Sequence, residues 1–146
     1  MAAPERKATI HFAGNDLFVG ISPSGHAQAI ETDGQRNGAA TPMELVLLAL
    51  GGCTGVDVIS ILQKQRQHVT GYRIEVHGDR REEVPHAYTR LYVKHIITGH
   101  AVAEPAVARA IELSDQKYCS VAATLRGSAE IVTSYEIIED SSAVTA

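Results

Sequence analysis

Alternating apolar and polar residues at the start of the chain predict three strands. The alternation covers residues 7–12, 16–22 and 26–31, with a turn between the first two stretches. A period of two places successive side chains on opposite faces of a sheet. A polar stretch with two glycines follows at 33–38 and predicts a loop. The first part of the chain is therefore predicted to be a small sheet.

The pattern then changes to that of a helix with a clear start. Thr41 suits the N-cap, Pro42 suits the first helical position, and Glu44 stands three residues after the cap. These residues together form a capping box with proline at its first position. Apolar residues then occupy nearly every face until the polar stretch 63–67. A helix of about 25 residues that is apolar all round must be buried on most sides, which favours a dimer.

Alternation returns in the second half of the chain and predicts longer strands. A charged stretch at 79–83 reads as the exposed loop of a hairpin. The second half is predicted to contain strands at 71–79 and 88–98, a helix from Glu104 to Lys117 and a last strand at 129–139.

The order of these elements predicts the fold class. Strands, a long helix, strands, a helix and a strand follow one another without the strand–helix–strand alternation of a parallel sheet. We therefore expect an α+β fold with two antiparallel sheet segments around a long buried central helix and a second helix. A single domain is expected over residues 1–146, with frayed ends at about 1–5 and 141–146.

Composition narrows the classes of protein that the chain can represent. It has 146 residues, 13 basic against 17 acidic side chains and 45% hydrophobic residues. A mildly acidic chain lacks the basic face of a nucleic-acid-binding protein. Its longest apolar run, 43–50, is interrupted by Glu44 and falls short of the roughly 20 residues that span a bilayer. The start shows no apolar signal segment, so we expect a cytoplasmic protein with no nucleic-acid or membrane partner.

Cys53 stands in the most unusual part of the helix. Gly51, Gly52 and Gly55 flank it, and each glycine costs about 1 kcal/mol relative to alanine inside a helix. Such a cost is tolerated where another backbone or a ligand approaches closely. Asp57 lies one turn after Cys53 on the same face, so a carboxylate is predicted beside the sulfur. A purely structural role remains open, because free cysteine is among the most buried residue types.

Cys119, 66 positions after Cys53, makes a redox pair plausible. Two distant cysteines in a reducing compartment are more often thiols or a redox couple than a structural disulfide. A free thiol with a pKa of about 8.5 is only about 3% thiolate at pH 7, and a pKa near 6 requires about 3.4 kcal/mol of stabilisation. An arginine is the natural source of that stabilisation. Arg36, in the loop before the helix, and Arg126 are the candidates.

The two cysteine-containing stretches resemble a known family. TPMELVLLALGGCTGVDV at 41–58 and KYCSV at 117–121 are similar to the OsmC/Ohr superfamily, and closest to its YhfA-like branch. The resemblance covers essentially the whole chain. It implies an OsmC-like fold in which two chains interlock as a homodimer, with active sites at the dimer interface.

The resemblance also implies an activity and roles for named residues. Better studied members are thiol peroxidases that reduce organic hydroperoxides and are recycled by a dithiol such as dihydrolipoamide. Cys53 matches the peroxidatic cysteine, Cys119 matches the resolving cysteine, and Arg36 lies near the loop that carries the activating arginine. The family's glutamate, ten residues before the reactive cysteine, is replaced by Met43. We expect no cofactor and no metal.

Two other functions fit parts of the pattern. A non-catalytic protein that binds a small apolar or thiol-reactive metabolite at the dimer interface would use the glycine-lined helix equally well, and Met43 favours it. A metal site formed by Cys53, Cys119 and His95 is the third interpretation, although no histidine stands at a typical ligand spacing. Whether the chain is an organic hydroperoxide reductase is therefore left open by the sequence.

Overall fold

The three N-terminal strands form an antiparallel sheet, which confirms the predicted alternation. The computed structural model describes residues 3, 5–32 and 35–143. Between the first two strands, Asn15 and Asp16 adopt positive φ angles of 53° and 63°, a backbone conformation that Asn and Asp tolerate in tight turns. The strands, paired in the order β1–β2–β3, are β1 (Thr9–Gly14), β2 (Leu17–Ile21) and β3 (Ala27–Glu31).

The long helix α1 covers Pro42–Lys64 and begins with the predicted capping box. The backbone N–H of Thr41 donates to Glu44 Oε1 at 3.1 Å, and the N–H of Glu44 donates to Thr41 Oγ1 at 3.3 Å. These hydrogen bonds satisfy two of the N–H groups that a helix start leaves unpaired. Because the Glu44 carboxylate accepts the first of these bonds, the pKa of Glu44 is lowered from its usual value, with the bond from the Thr41 backbone as the largest cause.

The second sheet has β5 at its centre and differs from the prediction in one pairing. β4 (His68–Arg80) pairs with β5 (Tyr88–His100) in antiparallel register, as expected for a hairpin. β6 (Glu130–Glu139), however, runs parallel to β5. The expectation of antiparallel pairing in both sheets was therefore wrong for this strand pair. A helical crossover between β5 and β6 allows the parallel arrangement, and the α+β class is unaffected.

That crossover is more complex than the single predicted helix. α2 covers Glu104–Leu113, a π-helical turn follows at Ser114–Tyr118, and a short helix, α3, covers Ser120–Leu125. The predicted helix to Lys117 therefore leaves the α-helical hydrogen-bond pattern four residues early. The stretch after Cys119, for which the sequence pattern predicted no helix, is helical.

Two apolar clusters form the core of residues 47–146. Burying a Leu, Ile or Val side chain contributes about 1.5–3 kcal/mol. Thr54 lies between the two clusters along α1, because Leu50 belongs to one and Val58 to the other. His95 has the same place on β5, between Val93 and Ile97. One cluster contains Leu50, Leu91, Val93, Cys119, Ala122 and Ala129, and the other contains Val58, Leu62, Ile97, Val107, Ala110 and Ile111.

Residue contacts divide the chain into two compact units, 1–46 and 47–146. α1 starts in the first unit and continues in the second. The single domain over 1–146 stays a prediction. Of the ends predicted to fray, residues 1, 2, 4 and 144–146 lie outside the described residues.

α1 is long and apolar enough to cross a membrane when judged by length and composition. The apolar run 43–50 thus underestimated the length of the apolar helix, because α1 continues through the glycines after it. Core helices of soluble proteins meet the same criterion, and α1 packs one face against β4. Composition alone is therefore not a convincing argument for a membrane span.

Candidate functional site

Two of the three glycines around Cys53 allow α1 to lie close to β4. A Cβ atom on Gly55 would be 2.6 Å from Ile74 Cδ1, and one on Gly51 would be 3.1 Å from Val76 Cγ2. Gly52, by contrast, is exposed and has no neighbour within 4 Å of such an atom. The close approach expected from the glycines is thus present on the side of α1 that carries Gly51 and Gly55. The side that carries Gly52 contacts no other described part of the chain at this position.

Cys53, Asp57 and Cys119 come together at this level of the helix. The two Sγ atoms and a carboxylate oxygen of Asp57 all lie within 4.8 Å of one another. Cys53 and Asp57 occupy successive turns of α1, four residues apart, and both are half-buried. Both cysteines are free thiols. The carboxylate predicted beside the Cys53 sulfur is therefore present.

The π-helical turn fixes the position of Cys119. The N–H of Cys119 donates to the Ser114 carbonyl at 2.8 Å, and its Sγ accepts a hydrogen bond from the Ala122 N–H at 3.3 Å. Cys119 is 3% exposed. Burial in apolar surroundings disfavours the thiolate and raises the pKa of Cys119 to about 11, with the nearby Asp57 charge as a smaller contribution in the same direction.

A short chain of hydroxyl groups holds the Asp57 carboxylate. Ser114 Oγ donates to Asp57 Oδ2 at 2.9 Å and lies 2.9 Å from Thr54 Oγ1. Because the single Ser114 proton is given to Asp57, Thr54 donates to Ser114. Ser114 and Thr54 are both buried. The sequence analysis missed this chain, since a Ser and a Thr separated by 60 residues carry no local signal.

The half-buried Tyr72 and the fully buried His95 form a second polar pair. Tyr72 Oη lies 2.6 Å from His95 Nδ1. Burial, and then the charge of Asp57, raises the pKa of Tyr72, so the phenol stays protonated and donates to Nδ1. The proton of neutral His95 is then on Nε2, which has no hydrogen-bond partner among the described residues. His95 does not join the two cysteines as a third ligand, contrary to the third interpretation of the sequence.

The two candidate arginines have different surroundings. Arg126 donates to the Asp115 carboxylate and to the Asp115 carbonyl, both at 2.7 Å. Arg36 is exposed in the loop between β3 and α1, within the first unit. That unit also contains Glu31, a fully buried carboxylate that accepts from the N–H of Gly38 at 3.2 Å. Sequence analysis did not single out Glu31, because it ends an otherwise ordinary strand.

The cavity beside Cys119 is much smaller than the groove beside Asp57. A cavity of about 10 Å³ beside Cys119 is at the lower limit for one water molecule. An open groove of about 310 Å³ includes Asp57 and Tyr118 in its lining. A substrate larger than water therefore does not fit the cavity beside Cys119, and the half-buried Cys53 is more accessible than the buried Cys119.

The family model described as OsmC-like protein matches residues 33–134 of the chain. Protein YhfA of Escherichia coli K12 is 45% identical over 121 residues, which are 83% of this chain and 90% of YhfA. The chain belongs to the OsmC-like family. The resemblance to the OsmC/Ohr superfamily and to its YhfA-like branch is thereby confirmed.

Solved structures of OsmC-like and related proteins agree with the fold. A hypothetical protein from Aquifex aeolicus VF5 matches with a TM-score of 0.83 and 31% identity over 94% of this chain and 99% of its own. The organic hydroperoxide resistance protein OhrB of Bacillus subtilis matches with a TM-score of 0.63 and 13% identity over 92% and 100% of the two chains. The second similarity shows the shared fold only.

Proposed function

We propose that the protein is a thiol-dependent redox protein that reduces organic hydroperoxides through Cys53 and Cys119. The observation that carries this proposal is the separation of the two free Sγ atoms, which is no more than 4.8 Å. Two thiols at this distance need only side-chain rotation and a small backbone adjustment to reach the bond length of about 2.05 Å in a disulfide.

The chemistry is balanced by the two thiols and the hydroperoxide. The Cys53 thiol loses its proton, and the thiolate attacks the terminal peroxide oxygen. The O–O bond breaks, Cys53 becomes a sulfenic acid, and the leaving alkoxide takes up the released proton to give the alcohol. Cys119 then attacks the Cys53 sulfur, which forms the disulfide and releases water. The disulfide is returned to two thiols by an external dithiol, for which dihydrolipoamide is the candidate.

Exposure supports this assignment of the two roles. Cys53 is half-buried and accessible, whereas Cys119 is buried and has its pKa raised to about 11. A buried, protonated thiol does not meet a bulky hydroperoxide first, because it is both inaccessible and a poor nucleophile. It becomes useful after a sulfenic acid has formed beside it.

Arg36 is the proposed activator of Cys53. A guanidinium keeps its charge at every physiological pH and binds oxygen anions through two N–H groups. The exposed loop position of Arg36 leaves it available for that role. We expect Arg36→Gln to slow the reaction of Cys53 with hydroperoxide by about tenfold, the factor that 1.36 kcal/mol represents. Arg66→Gln, which removes another exposed arginine, is the control and should react at the wild-type rate.

Two copies of the chain are proposed to associate through α1. The cytoplasm is the proposed location of this dimer. Leu48 and Val56 are 64% and 68% exposed on this helix, and the bare Gly52 lies between them. Leu48 and Val56, about two turns apart on one face of the helix, form an exposed apolar stripe that a second chain can cover.

Mass spectrometry of the oxidised protein tests the thiol chemistry. The fully reduced chain is mixed with a slight excess of cumene hydroperoxide, and the products are identified as intact protein and as peptides. We expect rapid formation of a Cys53–Cys119 disulfide in the wild type and of a Cys53 sulfenic acid in Cys119→Ser.

Slow oxidation would contradict the proposal. If Cys53 reacts no faster than an unactivated thiol such as free cysteine, the peroxidase function is wrong. The replacement of the family's glutamate by Met43 would then favour the binding protein considered above, and a bound metabolite should be sought.

A further inference from the structure

Asp57 completes a set of three ligand atoms that the proposed redox chemistry does not require. Its carboxylate lies within 4.8 Å of both sulfurs. We propose that Cys53, Asp57 and Cys119 of the reduced protein form a binding site for a thiophilic divalent cation of the Zn²⁺ type.

The donor atoms and their spacing suit such an ion. Zn²⁺ binds thiolate sulfur at about 2.3 Å and carboxylate oxygen at about 2.0–2.2 Å in a tetrahedron, which places neighbouring donors roughly 3.5–3.8 Å apart. The three donors are at most 4.8 Å apart before any ion is bound. The donors must therefore approach one another by no more than about 1.3 Å to reach the spacing of a zinc site.

Electrostatic interactions favour the site with a bound cation over the three negative ligands without one. A carboxylate and two thiolates this close together repel one another when no cation lies between them. A divalent cation reverses this effect, because it stabilises all three negative ligands at once. Among residues 3, 5–32 and 35–143, no lysine or arginine forms an ion pair with Asp57. The carboxylate is thus available to a cation from solution.

The hydroxyl chain supplies the support that metal ligands usually have. Ser114 donates to one carboxylate oxygen of Asp57 and is itself held by Thr54. Hydrogen bonds of this kind orient a ligating carboxylate, and their loss commonly weakens metal binding by about 10–100-fold. On the Cys119 side, the hydrogen bond from its N–H to the Ser114 carbonyl holds the backbone.

Three protein ligands leave one tetrahedral position open. The groove of about 310 Å³ that includes Asp57 gives an ion and a water ligand a path from solution. Binding follows Zn²⁺ + 2 RSH → Zn(SR)₂ + 2 H⁺, with the carboxylate as the third ligand. Both sulfurs are then committed to the metal and protected from alkylation.

Cadmium titration provides the test, because Cd²⁺ bound to thiolate has a charge-transfer absorption in the ultraviolet. The full chain is reduced with a phosphine, freed of metal with a chelator and titrated with Cd²⁺ and then with competing Zn²⁺. We expect one ion per chain, loss of the absorption in Cys119→Ser, and at least tenfold weaker binding in Asp57→Asn. Asp115→Asn is the matched control, since it removes a neighbouring carboxylate outside the three-ligand set, and it should bind as the wild type does.

Three results would overturn the proposal: no charge-transfer absorption, equal affinity of wild type and Asp57→Asn, or one ion per two chains. If a variant does not fold, two measurements on the wild-type protein test the proposal instead. Saturating Zn²⁺ must then release protons and protect Cys53 from iodoacetamide, and failure of either contradicts the site. No hydroperoxide is used, so the result is independent of the proposed peroxidase activity.

Discussion

The Ser114 hydroxyl donates a hydrogen bond of 2.9 Å to the Asp57 carboxylate, across 57 positions of sequence. This bond joins the π-helical turn before Cys119 to the helix that carries Cys53. The positions of the two thiols therefore depend on a polar contact inside the core, where each hydrogen bond that is lost leaves a group unpaired.

Ser114→Ala tests this contact. The substitution leaves the buried Thr54 hydroxyl and one oxygen of the half-buried Asp57 carboxylate without their partner, which costs about 1–3 kcal/mol. We expect the free energy of unfolding, measured by urea titration in the presence of a chelator, to fall by that amount. Ser120→Ala removes an exposed hydroxyl and should change stability by less than about 0.5 kcal/mol. Equal stability of the two variants would contradict the structural role of Ser114.

His95 predicts a pH dependence of stability. Burial lowers the pKa of His95 to about 4, whereas an unfolded histidine has a pKa of about 6.5. Between these values the unfolded chain binds more protons than the native chain, so stability falls as the pH decreases. A difference of about 2.5 units corresponds to roughly 3 kcal/mol lost between pH 6.5 and pH 4.

Comparison of His95→Gln with the wild type isolates this contribution. Glutamine does not titrate and can accept the hydrogen bond from Tyr72. We expect the unfolding free energy of the variant, measured by urea titration from pH 7 to pH 4, to depend less steeply on pH than that of the wild type. His77→Gln, at an exposed position on the same sheet, should keep the wild-type slope. A parallel loss in His95→Gln and the wild type would contradict the assignment.

Most elements could be predicted because the patterns that define them are local. The capping box at Thr41 and Glu44 and the alternation of β4 and β5 depend on neighbouring residues. The parallel pairing of β6 does not follow from its alternation, since parallel and antiparallel strands share the same period of two. The predicted helix between β5 and β6 was the one available signal, because a parallel pair requires a crossover of this kind. The π-helical turn at 114–118 was missed because its sequence, SDQKY, resembles the polar end of an ordinary helix.

The site was predictable only in part, for a related reason. Cys53 and Asp57 share one helix, so their proximity follows from a spacing of four. The partners Ser114 and Tyr72 lie on other elements, and their contacts depend on how the helices and strands pack. The activating arginine remains a prediction because Arg36 belongs to the first unit.

The glycines of α1 predict opposite responses to alanine on its two sides. In Gly55→Ala the new Cβ would meet Ile74 Cδ1 at 2.6 Å, and overpacking of this kind costs about 1–3 kcal/mol. Within one chain, Gly52→Ala meets nothing within 4 Å and gains about 1 kcal/mol of helix propensity. Thermal unfolding of the variants should therefore rank Gly52→Ala above Gly55→Ala.

A second substitution separates contact from propensity. Ile74→Val removes Cδ1, the atom that the Gly55→Ala methyl group would meet. The double variant should be more stable than the sum of the two single changes, because the clash exists only when both groups are present. Strict additivity would show that Gly55 does not set the distance between α1 and β4.

A single charge placed on the exposed stripe of α1 that Leu48 and Val56 form is expected to prevent dimer formation. Val56→Glu places a carboxylate on the face that the second chain is proposed to cover, and an unpaired buried charge costs several kcal/mol. Sedimentation velocity should show a dimer for the wild type and a monomer for Val56→Glu. Val84→Glu is the matched control, since Val84 is 82% exposed in the hairpin loop rather than on α1, and this variant should remain dimeric. A monomeric wild type, or a dimer that survives Val56→Glu, would contradict an interface on this face of the helix.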